Sequence, residues 1–230
     1  MLTPRSKAQS REGKELPYKE IVYARMPIRT HLITDRDDLA EVVARYTEGL
    51  IDPGDVVVLS ESMVAIAQGR AVVSASVKPG ALAGFLRRFP QKHGSLATPQ
   101  AMQLAVDEVG PWRIMAGAMA AGIGRLLSRR GWFYVAAGRQ LAYIDDIAGT
   151  LPPYERHIIL GPKDPETLAK RIQAKIGVDV AIVDVNDIRC VDIMAYAGRL
   201  EAEAFRAALA DNPAGNDDQQ TPIVILKRKR

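Results

Sequence analysis

Four polar clusters follow apolar runs in this chain, and their residue types suit the binding of a cation or a phosphate. Ser60-Glu61-Ser62 ends the run "GDVVVL"; Asp145-Asp146 precedes "IAGTLPPYER"; Asp184, Asn186 and Asp187 follow "VAIV"; and "DNPAGNDDQQTP" fills 211–222. Carboxylates are hard oxygen ligands of the kind Mg²⁺ and Mn²⁺ prefer. Two or three acids brought together repel one another, and a divalent cation relieves that repulsion. Each cluster taken singly also reads as a set of turn formers or helix caps, whose side chains bond nearby backbone amides. Their recurrence after strand-like runs is what favours a shared site.

Other chemistry is excluded by spacing. The sequence has no GxxxxGK[ST] loop, no GxSxG elbow, no HExxH and no CxxC, and His31, His93 and His157 are not at ligand spacing. Cys190 is alone, which rules out an internal disulfide framework and fits a reducing compartment. No residue is singled out as catalytic.

The elements that must position these clusters alternate. "YKEIVYARMPIRTHLI" supplies one or two strands, and "TDRDDLAEVVARYTEGL" a helix with Thr34 and Asp37 in capping-box spacing. Leu39, Val42, Val43 and Tyr46 make one face of that helix. A strand Val56–Leu59, a short helix and a strand Ala71–Ser74 follow. The centre, about 78–130, reads as helical, with Pro79 and Pro99 in helix first turns and Thr98 as an N-cap. Ala116, Ala120 and Gly124 form a stripe for close helix packing; "AGIG" interrupts a helix rather than following a strand, so packing is favoured over a phosphate loop. "WFYVAA" and "HIIL" are apolar runs in a last third that alternates strand and helix. "DPETLAKRIQAKI" is a helix with Asp164 as N-cap, Pro165 at N1, and Leu168, Ile172 and Ile176 facing inward. "DVAIVDVND" reads as a strand, "RLEAEAFRAALA" as a helix and "PIVIL" as a final strand. The fold class is α/β or α+β with a mixed sheet. Ligands of such sheets gather beyond the carboxyl ends of the strands.

Charge is located at the ends. The net charge is +4, yet the last four residues carry four cations and residues 1–16 carry four Lys/Arg against two Glu, which leaves −2 on the body. A nucleic-acid binder holds its basic charge on the folded surface, so nucleic acid is not expected. No apolar leader opens the chain, and the longest small-apolar run, 114–124, is too short to cross a bilayer. A cytoplasmic protein without a membrane segment is the expectation. Residues 1–16 read as a disordered lead-in, 17–226 as one domain, and 227–230 as a basic tail open to an acidic partner.

The stretch "GDVVVLSESMVAIAQGR" resembles the N-terminal motif of the gamma-glutamyl ligases that act on the deazaflavin coenzyme F-420: Gly-Asp, an apolar strand, a polar turn, and a helix ending in Lys-Ala-Glu-Gly-Arg. "HIILGPKDPETLAKRI" is similar to the family's Leu-Leu-Pro…Asp-Pro-Asp segment, and "VAIVDVNDIRC" to its strand ending in Asp-Thr-x-Gly-Arg. Order and rough spacing agree from about Leu50 to Arg199.

The resemblance implies a gamma-glutamyl ligase-like fold and a nucleotide- and metal-dependent amide ligase, with GTP or ATP and Mg²⁺ or Mn²⁺ as cofactors. It implies a small-molecule carboxylate substrate, glutamate as the amine, and a homodimer. By position, Ser60, Glu61, Ser62, Arg70, Asn186 and Arg189 would contact the cofactor. Asp145 or Asp146 would stand for the first metal aspartate and Asp184 for the second. Departures are specific: Ile66 replaces the lysine near the phosphates, Val185 replaces the Thr, and Asp187-Ile188-Arg189 replaces Gly-Arg. They leave open a non-catalytic relative that binds a small molecule or partner and has lost the chemistry.

Overall fold

The structure, a computed structural model, describes residues 23–87, 96–129, 131–146, 153–185, 191–199, 201–215 and 220–229. At its centre lie two parallel strands, β2 (Val56–Ser60) and β5 (Asp179–Val185). Four successive residues of each are buried, as in strands covered on both faces. β7 (Ile223–Arg228) pairs antiparallel with β2 and with the edge strand β1 (Tyr23–Ile28), and β6 (Val191–Ala197) pairs antiparallel with β5. The order is β1-β7-β2-β5-β6, a mixed sheet as the alternation of elements predicts.

One face of the sheet packs on α1 (Leu39–Thr47) and α7 (Pro165–Ile176) through Val57, Leu59, Val180, Ile182, Ile223 and Ile225. The other face, through Val58, Ala181 and Val224, packs on Phe205 and Leu209 of α8 (Ala202–Leu209). Period-2 alternation sends successive strand residues to opposite faces, so both cores are written into single short strands.

Between β2 and α7 the chain makes α2 (Glu61–Ala67), β3 (Ala71–Val73), α3 (Ala81–Leu86), α4 (Pro99–Val109), α5 (Pro111–Leu126), α6 (Trp132–Ala137) and β4 (His157–Ile159). β3 and β4 form a separate two-stranded sheet, and a third core joins it to α3–α6 through Leu96, Met102, Ile114, Leu141, Ile144 and Ile158.

Several local expectations shift. α1 is capped by Asp38, whose side chain accepts from the Ala40 amide. Asp37 instead accepts from the amide and hydroxyl of Thr34 at 2.8 and 3.0 Å, closing the loop ahead of the helix. Pro79 precedes the Gly80 cap of α3 rather than entering its first turn, whereas Pro99 follows the Thr98 cap of α4 as expected. Asp164 caps α7 ahead of Pro165, with Ile172 buried and Leu168 and Ile176 against the core.

"WFYVAA" is helix α6, laid against α5. The packing stripe of α5 is Ile114, Gly117 and Gly124, while Ala116 is exposed and Ala120 half-buried. A Cβ on Gly117 would stand 2.6 Å from the Ala137 Cβ, so α6 crosses where α5 has no side chain.

The basic tail starts later than residue 227. Lys227 and Arg228 belong to β7; Lys227 Nζ donates to Leu50 O, Asp52 and Asp55, and the Arg228 amide donates to Asp55. Residues 1–22 and Arg230 lie outside the described residues. No helix among the described residues is long and apolar enough to cross a membrane.

Candidate active site at the ends of the parallel strands

Ser60 pairs with Val183 in the parallel ladder, so the residues one step beyond, Glu61 and Asp184, sit together at the carboxyl ends of the two central strands. Ser60 leaves the strand as N-cap of α2: its hydroxyl accepts from the Met63 amide, and its own amide donates to Pro222 O at 3.0 Å. That cap turns the chain sharply enough to bury Glu61, which is 6% exposed, at the start of the helix.

Asp145 arrives from the smaller sheet. Its amide donates to Ile159 O at 2.8 Å and its carbonyl accepts from the Ile159 amide at 3.0 Å, a bridge that fixes it beside β4. From there its carboxylate accepts from Ser62 Oγ at 3.5 Å, joining the small sheet to α2. Asp184 faces Asp192 across the β5–β6 ladder, and Asp192 accepts a 2.7 Å hydrogen bond from the Tyr143 hydroxyl.

The electrostatics follow from burial and like charge. Burial, then Asp145, Asp184 and Asp192, push the Glu61 carboxyl up to about 10. Burial and Asp184 push Asp145 up to about 6, against the opposing Ser62 hydrogen bond. Burial and Asp192 raise Asp184 in turn, and burial with the Asp192 carboxylate raises the Tyr143 hydroxyl. At neutral pH Glu61 therefore holds a proton while Asp145, at about 6, is largely ionised.

The other expected residues go elsewhere. Asp146, the alternative to Asp145, accepts from the Thr98 amide and hydroxyl at 3.0 Å each, and Thr98 in turn caps α4. Asp145, not Asp146, faces Ser62. Arg70 is buried: it donates to Gly161 O and pairs with Glu108 of α4 at 2.9 Å, tying β3 to the helical part. Ile66 packs against the main core. Asp211 pairs with Arg25 at the sheet edge. Asn186, Asp187 and Arg189 lie outside the described residues.

Asp192 and Tyr143 are the members of the cluster that sequence reasoning missed. An Asp one residue into the strand "VDIMAYA" is a signal, because Asp is depleted in strands.

A family model described as F420-0:gamma-glutamyl ligase matches residues 27–190. The chain belongs to this family. No curated protein matches it. Membership in the gamma-glutamyl ligase family indicates ligase activity of that general kind. The match spans Glu61, Asp145 and Asp184, whereas Asp192 and β7 lie beyond it.

The donor set bears on the metal that a ligase of this family implies. Among the described residues no group of three or more His, Cys, Asp or Glu side chains is arranged to hold an ion by itself. A Mg²⁺-type ion asks for less: it is commonly bound through one or two carboxylates, keeps several waters, and takes its remaining oxygens from phosphates. Asp145 and Asp184 fit that demand in donor type, since both are raised by burial and the charge of one bears on the other.

Proposed function

We propose that this chain is a nucleotide- and divalent-metal-dependent amide ligase joining an amino acid, glutamate first among them, to a small molecule that bears a carboxylate. The observation that supports it is the meeting of Glu61, Asp145 and Asp184 at the carboxyl ends of the parallel strands, within a chain of the gamma-glutamyl ligase family.

The reaction balances as two displacements. The substrate carboxylate attacks the γ-phosphorus of GTP or ATP, the β–γ P–O bond breaks, and a nucleoside diphosphate leaves with an acyl phosphate formed. The amine of glutamate then attacks the acyl carbon, the C–O bond breaks, phosphate leaves, and the nitrogen releases a proton. Mg²⁺ or Mn²⁺ would supply the positive charge that crowded phosphates need.

The chain's own residues have distinct parts. Asp145 and Asp184 are the two carboxylates to hold the ion. Glu61, neutral at physiological pH, has a proton to donate in a hydrogen bond to a phosphate or carboxylate oxygen, which an ionised acid could not do. Ser62 orients Asp145. Ser60, Asn186 and Arg189 are kept as nucleotide contacts by their place in the motifs, while Arg70 acts by holding β3 against α4.

Calorimetric titration with GTP or ATP, each with Mn²⁺, tests the binding, and glutamate-dependent phosphate release across candidate acids tests the chemistry. Asp145→Asn and Asp184→Asn should abolish metal-dependent nucleotide binding on folded protein. Absence of heat with every nucleotide–metal pair would sink the proposal. A second reading, a binding relative without turnover, is favoured by Ile66, whose side chain packs in the core where a phosphate-binding lysine would reach out. Nucleotide and metal binding without any glutamate-dependent phosphate release would support it.

A further inference from the structure

Asp192 is the acid of the cluster to which the ligase reading gives no part. It stands directly opposite Asp184 in the antiparallel β5–β6 ladder, where opposed side chains share one face of the sheet and like charges repel. Its charge acts on Asp184 and on Glu61. Exposure falls from rim to floor across these groups: Asp192 is exposed, Asp184, Asp145 and Ser62 are half-buried, and Glu61 is 6% exposed. Neither Glu61 nor Asp184 has a hydrogen-bond partner among the described residues, so the floor presents a buried carboxyl group without a protein partner. Buried polar groups are ordinarily partnered, and one that is not points to a ligand.

Asp192 is held from the opposite wall. Tyr143 ends the 3₁₀ turn Arg139–Tyr143 and donates its hydroxyl to Asp192 Oδ2 at 2.7 Å. Ile144, extended and buried, separates Tyr143 from Asp145, so the two flanking side chains project to the same side. Behind Tyr143 the chain is bare: a Cβ on Gly161 would lie 2.8 Å from the Tyr143 Cβ. The hydroxyl has one proton, and Asp192 Oδ2 receives it. The lone pairs of the Tyr143 oxygen and the second oxygen of Asp192 are left side by side as acceptors.

Charge and geometry together select the ligand. No three acids among the described residues converge on one ion, so Asp192 stands apart from an ion that Asp145 and Asp184 share. Of the three reactants of a ligase, the nucleotide and the acid arrive as anions, which a carboxylate at the rim repels. The amino acid alone brings a cation. Its ammonium group has three protons and no lone pair, and therefore asks for acceptors only. We propose that Asp192 and Tyr143 seat the ammonium group of the amino-acid substrate, with the free oxygen of Asp192 and the hydroxyl oxygen of Tyr143 accepting from it. Asp192 binds the amine, and Tyr143 also orients Asp192. An amine seated there lies across the ladder from Asp184, beside the ion and the phosphates, where an acyl phosphate would await attack. The choice of an amino acid as the cation rests on the ligase reading.

Calorimetric titration of the full chain, without nucleotide, tests it. Glutamate, glycine and lysine at millimolar concentration are each compared with the Nα-acetyl form, which lacks the α-ammonium. At least one of the three should bind, and its acetylated form should bind about tenfold more weakly or not at all. Asp192→Asn should weaken the amino acid by about tenfold and Tyr143→Phe by about threefold, with Asp192→Glu recovering part of the loss. Asp192→Asn removes one of two opposed like charges, so its thermal transition should be retained or raised. Tyr143→Phe carries the test should that variant fail to fold. Mn²⁺ titrated into Asp192→Asn should bind as it does to wild type, which separates an amine seat from a metal ligand. No binding by any of the three amino acids, an acetylated form that binds as tightly as its parent, wild-type amino-acid affinity in folded Asp192→Asn, or loss of Mn²⁺ with the amino acid retained would each overturn the proposal. Absence of heat with every nucleotide–Mn²⁺ pair would sink the ligase reading alone, because the amino-acid titrations use neither.

Discussion

Glu61 and Asp184 each stand one residue past the Ser60–Val183 pair of the parallel ladder, so two acids from strands distant in sequence share one end of the sheet. The consequence is a proton. Glu61, pushed up to about 10 by burial and by Asp145, Asp184 and Asp192, binds a proton in the folded state that an unfolded glutamate near its usual value of 4.5 has already released. The folded state then holds more protons than the unfolded one between those values, and stability falls as pH rises through that window. By pH 7 the metal-free protein has lost on the order of 3 kcal/mol relative to acid conditions from this group. Glu61→Gln should remove that slope. Thermal melts in a chelator from pH 5 to 8 should show the variant more stable than wild type at pH 8 and the difference vanishing towards pH 5. Parallel pH profiles would count against the buried proton.

A divalent cation should act on the same cluster with the opposite sign. Mn²⁺ at about a hundred times its dissociation constant should stabilise the folded chain by roughly 2.7 kcal/mol. Because the ligands must be ionised, the gain should grow from pH 5 to pH 8 as Asp145, raised to about 6, loses its proton. Melting curves with and without Mn²⁺ should separate for wild type and coincide for Asp145→Asn.

Thr98 and Asp146 separate structure from chemistry in an adjacent pair of acids. Asp146 accepts twice from Thr98, and Thr98 caps α4 by accepting from the Ala101 amide. Thr98→Ala should cost about 1 kcal/mol, and Asp146→Ala about 1–3 kcal/mol because the Thr98 amide loses its partner. Neither should change Mn²⁺ affinity measured by calorimetry, whereas Asp145→Ala should abolish it. A loss of metal binding in Asp146→Ala with the fold intact would move the ligand role to Asp146.

How much of this was legible beforehand depends on how local the signal was. The strands β2, β5 and β7 announce themselves because each is a short β-branched run, and α7 because Asp164-Pro165 opens it and Gly177 closes it at φ 78°. The strand-end acids Glu61 and Asp184 were readable for the same reason, since a polar residue directly after a buried run marks a carboxyl end. The choice between Asp145 and Asp146 was not, because adjacent side chains in an extended segment face opposite ways and only the partners, Ser62 on one side and Thr98 on the other, settle it. Asp192 and Tyr143 escaped because their role comes from cross-strand register and a distant 3₁₀ turn, Arg139–Tyr143. "WFYVAA" has the composition of a strand, and becomes helix α6 because glycines of α5 make room for it.

Arg70 and Glu108 form a second, structural relationship that is open to test. The Arg70 guanidinium is buried, donates to Gly161 O and pairs with Glu108 at 2.9 Å. Removing one partner of a buried pair strands the other charge, at a cost of about 3–5 kcal/mol. Glu108 is partly exposed, which sets the expectation for Glu108→Gln nearer 2 kcal/mol and for Arg70→Met nearer 3 kcal/mol or above. Arg70→Lys should recover little, because one ammonium cannot reproduce the guanidinium's two directed contacts. Urea titrations of the three variants give the order; equal stability of Arg70→Met and wild type would remove Arg70 from the frame.

Two glycines should respond oppositely to the same substitution. A Cβ on Gly117 would lie 2.6 Å from the Ala137 Cβ and 3.1 Å from Phe133 O, so Gly117→Ala must push α6 away from α5, at about 1–3 kcal/mol. A Cβ on Gly84 in α3 would meet nothing within 4 Å, and its φ is not in the left-handed region, so Gly84→Ala should gain up to about 1 kcal/mol by reducing unfolded-state freedom. Denaturant unfolding of both variants provides the comparison.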